Sequence, residues 1–250
     1  MAVAAGKSDE PRADTLRPLR PISFGRTSVT IDRRDDGTIY LRPNITLGAY
    51  PVRITDRLHH WVDTAPDRIF MAERDGSGWR RISYAQLLAS SRRIASALLA
   101  RGLSAENPVV ILSGNSIDHV LIGFGALYAG IPFCPVSPAY SLISKDYGKL
   151  GYLMKLLTPG LVFTEDATAL AEAVRANVAP DTEVVASRGE VPGRRLTGLA
   201  ELLATPEHPG LDAAHDAIGP DTIAKFLLTS GSTGNPKAVI NTQRMLSPIR

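Results

Sequence analysis

The chain has little cysteine and no long apolar run. Its 250 residues include one cysteine, Cys134, which excludes an intramolecular disulfide and is typical of a reducing compartment. Cys134 lies in an apolar run, so we expect a small buried side chain and not a nucleophile. No apolar stretch reaches the ~18 residues of a membrane span. Charged residues follow the first six positions too soon for a secretory signal. We therefore expect a cytoplasmic protein without a membrane span.

Strong charge is also absent. The net charge is +3, from 28 basic and 25 acidic residues, and aromatic residues make up only 6%. Because the aromatic residues do not alternate with Lys and Arg, the sequence argues against nucleic-acid binding. Apolar residues make up 44% of the chain, which is enough for a sizeable core.

A Walker phosphate loop is missing, but another phosphate-loop candidate is present. In residues 229–237, Lys237 follows Pro236, and Ala238 stands where a Walker loop has Ser or Thr. Glycines allow the backbone to approach an oxygen, successive N–H groups form an anion-binding nest, and hydroxyls and a lysine add donors and charge. The candidate ATP-binding residues are Thr229, Ser230, Gly231, Ser232, Thr233, Gly234 and Lys237.

The flanks of this loop predict two strands. Residues 223–228 and 238–240 are apolar and prone to β structure, so the loop joins strand to strand and not strand to helix. This argues against an unrelated Walker-type NTPase. A simple polar turn between strands would have a similar composition, and only the order of the residues favours phosphate binding.

Residues 226–237 resemble the signature of the AMP-forming adenylating enzymes, which include acyl- and aryl-CoA synthetases, peptide-synthetase adenylation domains and luciferases. Residues 127–136 (LYAGIPFCPV) and 82–87 (ISYAQL) are similar to two further segments of that superfamily. The resemblance covers roughly residues 45–245. It implies a loop at the β- and γ-phosphates of ATP, with Mg²⁺ and CoA as further cofactors. The implied reaction converts a carboxylic acid to an acyl-adenylate and then to a thioester.

Within this superfamily, residues 29–34, 41–43 and 241–245 most resemble feruloyl-CoA synthetases. The resemblance therefore implies an aromatic acid as the substrate. It places most of the acid pocket, the Mg²⁺ ligand and the adenylation lysine after residue 250, so we expect an N-terminal fragment that is inactive alone. The alternative is a non-catalytic remnant or interaction module that binds ATP weakly at most. No catalytic residue is assigned.

Strand and helix patterns alternate from about residue 55, which predicts an α/β fold with a mostly parallel sheet and helices on both faces. We expect a mobile lead segment at residues 1–44 and a partial AMP-binding domain at 45–250. A sheet without its later strands would leave an unpaired edge that favours self-association.

Predicted strands cover residues 69–72, 79–82, 109–112, 131–136, 161–164 and 182–186. Predicted helices cover 55–66, 83–102, 116–130, 147–157, 167–178 and 199–203, and predicted surface loops cover 187–193 and 205–220.

Histidines give no metal site in the sequence. Adjacent residues on a helix do not face each other, so we expect His59 and His60 to be a solvated pair. His119 has no convincing Ser or Cys partner for a triad, and His208 and His215 fall in a predicted loop. Asn115, at a strand end, is most simply interpreted as a helix cap or turn residue. We assign no metal ligand.

Overall fold

A computed structural model describes residues 28–46, 48–144, 146–229 and 234–247. The chain divides into two compact units, residues 1–48 and 49–250. In the first unit, β1 (Val29–Arg33) pairs antiparallel with β2 (Ile39–Pro43). The sequence analysis predicted no strand there. Residues 1–27 lie outside the described part, and the mobility of residues 1–44 stays a prediction.

The second unit begins with a helix and a hairpin. Helix α1 (Ile54–Thr64) begins one residue before the predicted range 55–66. Its N-cap is Arg53, whose N–H donates to Asp56 Oδ2. The predicted hairpin is confirmed as β3 (Ile69–Asp75) and β4 (Gly78–Ser83). Helix α2 (Tyr84–Ala100) follows, as predicted, and a capping box forms between Ser83 and Gln86 at its start.

A seven-stranded sheet forms the centre of this unit. Its strands are β5 (Val109–Leu112), β6 (Phe133–Pro135), β7 (Leu161–Asp166), β8 (Glu183–Arg188), β9 (Thr197–Gly198), β10 (Ile223–Thr229) and β11 (Lys237–Thr242). The strand order is β11-β10-β6-β5-β7-β8-β9. All neighbouring pairs are parallel except β10 and β11. The predicted fold class is confirmed.

Helices cover both faces of the sheet. The remaining ones are α3 (Ile117–Ala129), α4 (Gly148–Leu157), α5 (Ala171–Asn177), α6 (Leu199–Leu203), α7 (Leu211–Asp216) and α8 (Gln243–Leu246). In β5, Val109 and Ile111 pack with residues of α2, α3 and α6, whereas Val110 and Leu112 pack with residues of α4 and α5. Because strand side chains alternate between faces, a strand buried on both sides is apolar throughout.

One predicted loop is wrong. Residues 211–216 within the predicted loop 205–220 form α7, and its Leu211 and His215 are buried. A single turn and a half of helix carries too few apolar residues to show a period, and the flanking Pro209 and Gly210 are typical of turns. Packing against the rest of the unit, and not local sequence preference, makes this segment helical.

Candidate functional site

The candidate phosphate loop joins β10 to β11, as the sequence predicted. Thr229 and Lys237 are directly paired where the two antiparallel strands meet the loop, and both residues are exposed. Gly234 has a φ of +153°, and a Cβ built there would meet no atom within 4 Å. Ser230, Gly231, Ser232 and Thr233 lie outside the described residues. The structure thus places Thr229, Gly234 and Lys237 at one end of the sheet, with open space beside the glycine.

A cavity of about 450 Å³ lies beside the root of this loop. It is formed at the carboxyl ends of β5 and β6 and along β10, the strand that leads into the loop. Its lining residues are Ser113, Asn115, His119, Pro135, Val136, Ser137, Pro138, Tyr140, Leu227 and Leu228.

The strand order explains why a cavity forms here. After β5 the chain enters α3 on one face of the sheet, and after β6 and β7 it enters α4 and α5 on the other face. Connections that leave neighbouring strands toward opposite faces open a crevice at the carboxyl ends, where α/β proteins bind ligands. The phosphate loop and the cavity therefore share the edge of the sheet that the topology favours for binding.

His119 is held against the loop after β5. Its Nδ1 lies 3.0 Å from the Gly114 carbonyl oxygen and 3.1 Å from Ser113 Oγ. A carbonyl oxygen only accepts, so Nδ1 carries the proton. Burial lowers the pKa of His119 below its ordinary value, against the opposing effects of Gly114 and Glu165. The ring is therefore neutral near pH 7, and the lone pair is on Nε2.

Sequence reasoning missed this pair. It found no partner for His119, although Ser113 is six residues away, because a loop separates the serine from the helix that carries the histidine. The signal that could have revealed this site is the run of polar residues directly after the buried strand β5.

Asn115 is not a helix cap. Ser116 takes that position and accepts the His119 N–H at 3.1 Å, so the simpler interpretation of Asn115 as a cap is wrong. Asn115 is exposed and lines the cavity, and its side-chain amide has no hydrogen-bond partner in the part of the chain that the structure describes.

The amino end of α3 is filled by protein groups. Glu73 Oε2 accepts the Ile117 N–H at 2.7 Å, and Arg80 links Glu73 Oε1 (3.1 Å) to Asp118 Oδ1 (2.6 Å). Ser187 donates to Asp118 Oδ2 at 2.6 Å. Because a carboxylate already compensates this helix end, it is not available as an anion site.

His59 is not part of a solvated pair. Its ring lies 5.8 Å from that of Tyr128 and 5.6 Å from that of His215, while His60 is exposed. Tyr128 and His215 stack at 4.1 Å, and Thr55 Oγ1 lies 2.9 Å from His215 Nε2. This cluster connects α1, α3 and α7, and its role is packing.

Three further findings concern Cys134, metal binding and membrane-crossing helices. Cys134 is fully buried, and burial raises its pKa to about 12, so the thiol is an inert core group as expected. Among the described residues, no three His, Cys, Asp or Glu side chains are grouped so that they could bind a metal ion. Within the same ranges, no helix is both long enough and apolar enough to cross a bilayer.

Comparison with known proteins identifies the family. A family model described as AMP-binding enzyme matches residues 58–248, most of the chain and all of the sheet. The chain belongs to the AMP-binding enzyme family. The resemblance inferred from the phosphate loop is thereby confirmed at the level of this family.

Several family members are similar to this chain. The L-2-aminoadipate reductase large subunit of Eremothecium gossypii is 27% identical over 241 residues, covering 84% of this chain and 17% of that protein. The 4-hydroxybenzoate–CoA/benzoate–CoA ligase of Rhodopseudomonas palustris is 30% identical over 163 residues, covering 65% of this chain and 28% of that protein.

The fold also matches that of solved AMP-binding enzymes. A red-emitting luciferase from Phrixothrix hirtus superposes with a TM-score of 0.58 at 23% identity, covering 81% of this chain and 48% of that chain. The N-terminal domain of FACL13 from Mycobacterium tuberculosis superposes with a TM-score of 0.57 at 23% identity, covering 77% and 45%.

The chain spans only part of these relatives. It covers 17% of the reductase subunit and 4% of a tenellin synthetase from Beauveria bassiana, which is 32% identical over 166 residues.

Proposed function

We propose that this chain is the ATP-phosphate-binding part of an AMP-forming acid–thiol ligase. The observation that carries the proposal is the phosphate loop between β10 and β11, with Lys237 paired to Thr229 at its root. The family match supports the same function. In this reaction the carboxylate of an acid would attack the α-phosphorus of ATP, the bond to the β-phosphate would break and pyrophosphate would leave, which gives the acyl-adenylate.

The residues at the loop have distinct roles in this proposal. Lys237 is an exposed cation at the start of β11 and would balance the charge of the β- and γ-phosphates, without acting as a base. The Thr229 hydroxyl would donate to a phosphate oxygen, and Gly234 would let its backbone approach the phosphates closely. Ser230, Gly231, Ser232 and Thr233 would supply the remaining N–H and hydroxyl donors, by resemblance to the family.

The proposed acid is aromatic, of the feruloyl or related aryl type. Support comes from the N-terminal resemblance and from two relatives that are named as aryl ligases. One is the hydroxybenzoate ligase described above, and the other is a salicylyl-CoA synthase from Streptomyces, 28% identical over 189 residues. We propose residues 45–250 as the AMP-binding region and residues 1–44 as a lead segment.

We further propose that these 250 residues do not complete adenylation by themselves. The chain spans only 28% of the length of the hydroxybenzoate ligase described above, which supports this. By resemblance to the family, Mg²⁺ and CoA are cofactors of the whole ligase in this proposal. The alternative is a non-catalytic remnant or interaction module that binds ATP weakly. We place the protein in the cytoplasm by analogy with such ligases.

The test of phosphate binding is equilibrium dialysis of ATP against the purified chain and two lysine variants. Lys237→Ala should weaken ATP binding about tenfold, because a charge-assisted contact contributes roughly 1.5–3 kcal/mol. Lys155→Ala is the comparison variant: Lys155 is an exposed lysine of α4 that lines a separate basic cleft with Arg101 and Arg175. It should bind ATP as the wild type does, and weaker binding would assign ATP to that cleft. Equal ATP affinity in the wild type and the Lys237→Ala variant would refute the assignment of the loop.

A further inference from the structure

Among the described residues, those that line the cavity beside the phosphate loop carry no formal charge near neutral pH. They include no Asp, Glu, Lys or Arg, and His119 is neutral. Half of the lining residues are the apolar Pro135, Val136, Pro138, Leu227 and Leu228. Phosphate groups need donors and positive charge, so this cavity does not suit the triphosphate. Its chemistry suits an uncharged, partly apolar group.

His119 presents a hydrogen-bond acceptor to the cavity, because its protonation pattern is set by its neighbours. The Gly114 carbonyl and Ser113 fix the protonated Nδ1 of His119, so the unprotonated Nε2 is left as an acceptor. Nε2 has no hydrogen-bond partner among the described residues. The Asn115 amide, also unpartnered there, offers a donor and an acceptor to the same cavity.

We propose that this cavity binds an uncharged, largely apolar group that carries a hydrogen-bond donor, and that His119 Nε2 accepts that hydrogen bond. The inference rests on the proposed ligase function, which supplies two groups of this chemistry. One is the ring hydroxyl of an aromatic acid. The other is the pantetheine arm of CoA, with its amide N–H groups and thiol. His119 and Asn115 would then select the substrate, and Ser113 would position His119.

The test is NMR titration of the purified chain, with the imidazole nitrogen resonances of its five histidines observed directly. The probes are 4-hydroxybenzoate, benzoate as its analogue without the hydroxyl, and pantetheine. A hydrogen bond of about 1 kcal/mol predicts that the hydroxylated acid binds roughly fivefold more tightly than benzoate. The His119 Nε2 resonance should shift on binding.

Two variants distinguish the loss of the hydrogen bond from a loss of folding. His119→Asn keeps a donor near the position of Nδ1 for the Gly114 carbonyl but removes the Nε2 acceptor, so the fivefold preference should disappear. The exposed His60 provides the control, His60→Gln, which should retain the preference. Thermal unfolding of both variants checks that each one folds.

The probes distinguish the two sources of the ligand group. A His119 shift with the hydroxylated acid assigns the cavity to the acid, and a shift with pantetheine alone assigns it to the thiol substrate. If neither probe shifts His119, or if His119→Asn binds both as the wild type does, the proposal is wrong. ATP binding, measured separately with Lys237→Ala, tests the ligase function, so the two failures are distinguishable.

Discussion

At the scale of single residues, the tightest packing is at Gly125. An added Cβ there would lie 2.3 Å from Ile94 Cγ2 and 2.6 Å from Ile94 Cβ, and Ile94 is fully buried. Helices α2 and α3 approach each other closely at this point because the glycine has no side chain.

Gly125→Ala should lower the free energy of unfolding by about 1–3 kcal/mol, the usual cost of overpacking a core. Gly219→Ala is the control, because a Cβ at that position meets no atom within 4 Å. Urea unfolding measures both variants. A Gly125→Ala variant as stable as the Gly219→Ala variant would contradict the packing between α2 and α3.

His215 makes stability depend on pH. Burial, with the charge of Arg53 next in importance, lowers its pKa from about 6.5 to about 4. The unfolded chain therefore binds a proton at higher pH than the folded chain does. The contribution of neutral His215 is complete above pH 6.5 and is lost as the pH falls from 6.5 toward 4.

Comparison of unfolding free energies at pH 7 and pH 5 in the wild type and His215→Gln tests this dependence. The wild type should lose more stability than the variant, by up to about 2 kcal/mol for 1.5 pH units. His60→Gln should follow the wild type. His119, whose pKa is also lowered, contributes equally to all three proteins, so the difference isolates His215.

At the scale of elements, one polar network ties the β3–β4 hairpin to the sheet. Asp118, buried at the start of α3, accepts from Arg80 of β4 and from Ser187 of β8. Glu73 of β3 connects the same arginine to the first N–H of α3. The network holds the amino end of α3, and with it the loop of Ser113 and Asn115, in place.

Asp118→Ala should therefore destabilise the protein by about 1–3 kcal/mol, because a buried charged acceptor is removed and two donors lose it. Asp221→Ala is the matched control. Its partner Arg244 and its own carboxylate are both exposed, so little change is expected. Thermal unfolding gives the comparison, and equal melting temperatures for the two variants would show that the network contributes nothing.

The sequence predicted the elements that have a clear local pattern, including the five-residue helix α6, and missed others. Helices α2 and α3 combine an apolar period with caps at Ser83 and Ser116, and β5 is an unbroken apolar run, so each was predicted from local pattern. Helix α7 was missed because Pro209 and Gly210 before it are typical of turns, and β1 and β2 were missed because both are exposed along their whole length.

One part of the candidate site, the phosphate loop, was predicted from the sequence, and the other part, the cavity, was not. The loop between β10 and β11 was predicted from contiguous residues, and three of its seven candidate residues lie among those described. The cavity was not predicted, because Leu227 and His119 are brought together only by the order of the strands in the sheet.

At the scale of the whole molecule, the sheet has an exposed side at β11. Within the described residues β11 pairs only with β10, and Val239 and Ile240 are 45% and 51% exposed. An open strand edge with apolar side chains is a template for pairing with another chain. We therefore propose that the isolated chain self-associates through β11.

Val239→Lys should shift the chain toward monomer in sedimentation velocity, because a charge on an edge strand opposes pairing. Val52→Lys provides the control, since Val52 is similarly exposed but lies before α1, outside the sheet. If the wild type is monomeric at high micromolar concentration, self-association through this edge is excluded.

The central claim is that the segment joining β10 and β11 binds the phosphates of ATP. Hydrogen–deuterium exchange of the purified chain, with and without ATP, tests it most directly. We predict that ATP slows exchange in peptides covering residues 223–242 and leaves α4 and α5 unchanged. Unchanged exchange at 223–242, or protection confined to the basic cleft near Arg101, Lys155 and Arg175, would contradict the claim.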